Sequence, residues 1–191
     1  MDNIAREILK YLGNKHTRVE RKQGFMGNYY SSLIDTIYIA EKFENAKVPK
    51  GMENVNPKVA ELIVVCHECI HSVQNKILHI LNIMFANFSM ILAAICIFIA
   101  LFSTSTLWLT IVSSALLLTS MVVRLMLEYG AINGSIKLAK EVVDKGLVAD
   151  VFTEDIEQSI EYINKRKWSA LIQMLLDKIV LLVIVILVYM V

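Results

Sequence analysis

Three stretches of this chain are almost free of charge, and they set its organisation. From Ile77 to Phe102 only His79, Asn82, Asn87 and Ser89 interrupt the apolar residues. From Leu107 to Leu127 the only charge is Arg124, and from Ala170 to Val191 the polar residues are Gln173, Asp177 and Lys178. About 20 apolar residues are needed for a helix to cross a bilayer core. The first two stretches meet that length and predict a transmembrane hairpin over residues 77–127. In the third, the uninterrupted part from Ile179 to Val191 is too short alone, so a crossing over 170–191 must include Asp177 and Lys178.

Between these stretches the pattern changes period. Ile4, Ile8, Leu9 and Leu12 mark one face of a helix from Asn3 to Leu12, with Gly13 as its stop. Thr17 to Lys22 predicts a short strand, Gly24 and Gly27 a loop, and Thr36 to Ala40 a strand rich in β-branched and aromatic residues. Asn56 followed by Pro57 predicts a capped helix start. That helix carries Val59, Leu62, Ile63, Cys66 and Ile70, and is expected to run on into the first span. Glu128 to Lys145 predicts a helix stopped by Gly146, and Thr153-Glu154-Asp155 opens another, with Ile156, Ile160 and Ile163 as its stripe. The fold class expected is a mainly α membrane protein. It comprises a small α+β element over 1–76, the hairpin, cytoplasmic helices over 128–169 and a C-terminal span.

Composition agrees with this and removes other classes. The chain is 56% hydrophobic and 19% charged, with a mean hydropathy of +0.55. Its net charge of +1 offers no basic field for nucleic acid. Three cysteines cannot all pair, so a disulfide scaffold is not expected. Cys66 and Cys69 have C-x-x-C spacing without a second pair, and read as small apolar residues on a helix. Charges throughout Met1 to Lys22 argue against a signal peptide. Of the nineteen lysines and arginines, eleven precede the first span and six lie between Gly130 and Ser169. The turn Ser103 to Thr106 has none, which predicts that the charged segments are cytoplasmic and the turn external.

Within the predicted helix from Pro57 lies His67-Glu68-Cys69-Ile70-His71. Histidines four apart project from one face of a helix and can reach a single Zn²⁺, while Glu68 beside them can take the proton of an attacking water. Histidines facing solvent are the plain alternative. A catalytic zinc site needs a third protein ligand and an open position. Glu128 is the candidate, because the hairpin returns the end of the second span to the membrane face where the first began. A carboxylate there is costly unless paired or metal-bound. The other reading of Glu128 is a residue that only marks the end of the span.

These residues resemble the bacterial membrane-bound neutral zinc metallopeptidase family, whose hallmark is a motif like H-E-x-G-H-A-x-Q. Here it reads His67-Glu68-Cys69-Ile70-His71-Ser72-Val73-Gln74, with Ile70 in place of the usual glycine. The family's later E-F-x-A-S segment is similar to Glu128-Tyr129-Gly130-Ala131-Ile132, and its upstream D-x-Y-D-P stretch to Asn28-Tyr29-Tyr30. The likeness spans roughly Ile4 to Leu175. It implies that Glu128 is the third zinc ligand, with Tyr30 and Tyr129 as candidates to stabilise an oxyanion or to serve as interfacial anchors. The strand Thr36 to Ala40 is either a free edge for an extended peptide or part of the core.

The expectation is therefore a membrane-embedded zinc metallopeptidase, with a peptide or protein substrate, the bilayer as its environment and its site at the cytoplasmic face. The alternative is a non-catalytic membrane regulator or binding protein that keeps the fold. A haem or electron carrier would need paired histidines inside the membrane, and His67 and His71 lie outside the apolar run.

Overall fold

The computed structural model describes residues 2–22, 28–40, 56–100, 107–148 and 153–190. Along these the elements are α1 (Asp2–Tyr11), β1 (Arg18–Lys22), β2 (Tyr29–Ser31), β3 (Thr36–Ala40), α2 (Pro57–Val73), α3 (Lys76–Ala100), α4 (Leu107–Asp144) and α5 (Thr153–Met190). The loop at Gly24 and Gly27 and the turn Ser103 to Thr106 lie outside the described residues. The chain divides into two units, Met1–Lys76 with Glu128–Ala170, and Ile77–Leu127 with Leu171–Val191. The long helices α4 and α5 each run through both.

The first unit is built on one apolar core. It takes Ala5, Ile8 and Leu9 from α1, Ile37 and Ile39 from β3, and Val59, Leu62, Ile63, Cys66 and Cys69 from α2. Leu138, Ala139 and Val142 of α4 and Ile156 and Ile163 of α5 complete it. Each fully buried Leu, Ile or Val contributes about 1.5–3 kcal/mol, so this core outweighs any surface pair in the unit. The helix ends follow local chemistry. Asn56 caps α2 by accepting from Lys58 N–H at 3.1 Å, with proline at the first turn. Gly13 and Gly146 take φ of +72° and +66° just past α1 and α4, a left-handed stop for which glycine has no steric cost.

The three strands form a mixed sheet in the order β1-β3-β2, with β1 parallel and β2 antiparallel to β3. This corrects the idea of Thr36 to Ala40 as a free edge. Both edges of β3 are occupied, and its Thr36, Ile37 and Ile39 are buried, because its β-branched residues suit a strand covered on its faces. Among the described residues, β2 and the charged β1 are the outer strands. A second correction concerns the helix of the histidine motif. It does not continue into the first apolar stretch but ends at Val73, where Gln74 turns extended (φ −68°, ψ 164°).

Where α4 passes α2, the contact is made by small residues. A Cβ placed on Gly134 would lie 3.1 Å from three side-chain carbons of Ile70, and one on Gly130 would lie 3.0 Å from Gln74 Nε2. Ala131 and Ser135 beside them are buried. Residue 70 meets 134 and the cap residue 74 meets 130, so the two chain segments run in opposite directions here. Gly134→Leu should therefore destabilise this unit by about 1–3 kcal/mol, the usual cost of overpacking. Urea unfolding of the detergent-solubilised protein followed by circular dichroism would measure it. The added loss should shrink when Ile70→Ala is combined with it, and no such coupling would show that the two side chains do not compete for space.

In the second unit Ala93 and Cys96 of α3, Leu117 of α4 and Val185 of α5 pack together. Among the described residues, three helical segments are long and apolar enough to cross a membrane: Lys76–Ile99, Leu107–Asp144 and Ile156–Leu187. Phe88, Phe98, Trp108 and Val180 point outward and are at least half exposed. Such an apolar exterior suits lipid tails better than water.

Candidate metal centre

All residues of the site belong to the first unit. One turn of α2 carries His67 and His71 on the same side, with their rings edge-on and their centroids 4.6 Å apart. Glu128, from α4, meets both. Its Oε2 lies 3.3 Å from His67 Nε2 and 3.6 Å from His71 Nε2, and the two Nε2 atoms are 3.0 Å apart. The three side chains are only 10–21% exposed. Donors held about 2.0–2.1 Å from one tetrahedral ion lie about 3.3–3.4 Å from each other. The observed triangle has that size, so these three residues could hold a metal ion.

The electrostatics of the cluster favour a carboxylate facing imidazoles. Burial works against the charge on Glu128, but hydrogen bonds with His67 and His71 outweigh it and hold its carboxyl well below the usual carboxylate range. At His71 burial opposes the imidazolium, while the Glu128 hydrogen bond and the charges of Glu68 and Glu128 outweigh it and raise the pKa. A cation is thus favoured at this spot, whether proton or metal.

Two further groups orient the site. Gln74 Oε1 lies 2.8 Å from His71 Nδ1. An amide oxygen can only accept, so Nδ1 carries the hydrogen and Nε2 presents its lone pair to the cluster. The break after Val73 is what turns Gln74 back to the ring. Sequence reading singled out Gln74 only through the family motif, and its spacing of three from His71 is the signal that could have placed it. The second group is the main chain of β2: Tyr30 N–H donates to Glu68 Oε2 at 2.6 Å. Burial pushes the Glu68 carboxyl up, against the opposing pull of the His67 and His71 charges.

The structure brings His67, Glu68, His71 and Glu128 together, and the two tyrosine side chains have contacts of their own. The Tyr30 hydroxyl donates to Asp35 Oδ1 at 3.0 Å, while its backbone N–H donates to Glu68. The Tyr129 ring stacks on Trp168 with centroids 5.5 Å apart, and Lys167 Nζ lies over the Tyr129 ring at 5.5 Å from its centroid. Asp35 was not foreseen as a hub. It also accepts from Thr17 Oγ1 at 2.6 Å and pairs with Lys76 at 2.5 Å, with a backbone φ of +51°. Cys66 and Cys69 are fully buried, and burial raises both thiols well above the ordinary range, as inert core residues require. No family model, curated protein or solved structure matches the chain.

Proposed function

We propose that this protein is a membrane-embedded zinc metallopeptidase. The observation that supports it most is the His67-His71-Glu128 triangle with Glu68 next to it on the same helix. Two imidazoles and one carboxylate are a donor set suited to catalytic zinc, with a fourth position left for water or substrate. When bound there, zinc supplies Lewis acidity and brings the pKa of a water towards neutrality. The chain's own residues supply the rest. His67, His71 and Glu128 hold the ion, and Gln74 fixes the tautomer of His71. Glu68 takes a proton from the attacking water and delivers it to the leaving amine. Burial raises its affinity for that proton, and the Tyr30 N–H keeps the carboxylate in one orientation. The peptide class of substrate follows from this chemistry and from the resemblance of the motif. Casein hydrolysis by the detergent-solubilised protein should stop on chelation and return with stoichiometric zinc. Hydrolysis indifferent to a chelator would remove this reading.

We further propose that the site faces the cytoplasm, on the distribution of lysine and arginine. A cysteine introduced at Ser105 should react with an impermeant maleimide added to intact cells, and one at Gly146 should not. The reverse pattern would place the site on the exterior.

A further inference from the structure

The second unit contains two cations that the peptidase reading does not use. Lys178 of α5 donates from Nζ to Ser120 Oγ of α4. Arg124 lies one turn along α4 from Ser120, on the same side of the helix, which places it beside Lys178. Its Nε is buried and has no hydrogen-bond partner among the described residues. The nearest carboxylate in sequence, Asp177, is exposed, and no ion pair among the described residues joins it to either cation. Two like charges in an apolar segment, with a donor left over, are costly unless an anion lies between them.

Their position says what kind of anion. Arg124 is four residues from Glu128, where the apolar stretch of α4 ends, or about 6 Å along the helix. Lys178 and Ser120 are each eight residues from an end of their apolar stretches, about 12 Å deep. The Arg124 side chain, one turn from that end, can extend towards the headgroup layer, while Lys178 Nζ is held at the depth of Ser120. We propose that Arg124 and Lys178 form a binding site for the phosphate of an anionic phospholipid, in the leaflet at the Glu128 end of α4. The Arg124 guanidinium offers a planar fork of donors to two phosphate oxygens, and Lys178 adds a point charge steadied by Ser120. Basic pockets between membrane helices recognise headgroups in this way.

The test uses the full chain, native mass spectrometry and mixed micelles of phosphatidylglycerol and phosphatidylcholine. The wild type should retain phosphatidylglycerol over phosphatidylcholine by about thirty-fold, roughly what two cations near a headgroup supply. The double variant Arg124→Gln/Lys178→Gln should lose that preference, whereas Arg124→Lys/Lys178→Arg keeps the charges and should retain most of it. Lys165→Gln/Lys167→Gln, a control outside the apolar segment, should retain it fully. Equal retention of the two lipids by the wild type would overturn the proposal, as would a preference that survives in the glutamine variant. Displacement by inorganic phosphate in place of lipid would overturn the assignment to a headgroup. Because lipid retention is read without metal or hydrolysis, its outcome is independent of the zinc site.

Discussion

Glu128→Ala should leave the protein inserted and helical but unable to hold zinc. The wild type is expected to bind about one zinc per chain, as a three-ligand site implies. Removing Glu128 leaves two imidazoles whose Nε2 atoms face each other at 3.0 Å, with no carboxylate oxygen of α4 against them. Loss of an outer-shell partner alone typically costs 10–100-fold in metal affinity. Loss of a ligand should cost more than about 100-fold, and His67→Ala should match it. Glu128→Asp should fall between, since its carboxylate is pulled back by one bond. Gln74→Ala, which frees His71 to turn, should weaken binding by about 10–100-fold. Competition with a chromophoric chelator gives the constants of the wild type and all four variants in one detergent, and circular dichroism checks that the helices persist. Wild-type affinity in Glu128→Ala would mean that another group completes the site.

The second large effect separates chemistry from binding. In Glu68→Gln the side-chain amide oxygen can still accept from Tyr30 N–H, so the strand contact at 2.6 Å survives. The amide cannot take a proton. A positioned base contributes about 10²–10⁴ to a rate, and hydrolysis should fall by that factor while zinc binding stays near wild type. A variant that cleaves casein as fast as the parent would show that Glu68 is not the base. One that loses zinc along with activity would show that Glu68 acts on the metal site instead.

Much of this was readable from residue order, for physical reasons that differ by element. The helical face of α1, the Asn56-Pro57 start of α2 and the stops at Gly13 and Gly146 are local signals, each complete within a few residues. The apolar stretches were legible because lipid and water select composition so differently. His67 and His71 come from one helix, so their spacing alone predicts that they meet. Glu128 is 57 residues further on than His71, and only the idea of a returning hairpin connected them. What was not legible depended on tertiary contact. The break at Gln74 has no proline or glycine to announce it, and β2 is a three-residue strand defined by its partner β3. The Tyr30 phenol found Asp35, a residue that the motif does not mention.

The close approach of Ile70 and Gly134 also bears on how such a sequence can change over time. Side-chain volume at that crossing is shared between two positions 64 residues apart, so neither can be judged by itself. A larger residue at 134 is harmful only while isoleucine occupies 70, and a glycine at 70 opens a gap only while 134 stays small. Substitutions there are epistatic, and their order matters: shrinking residue 70 first passes through a cavity, while enlarging residue 134 first passes through a clash. Mutational libraries that vary one position at a time would rank both as intolerant, whereas libraries that vary them as a pair should recover folded variants with the bulk moved to the other helix.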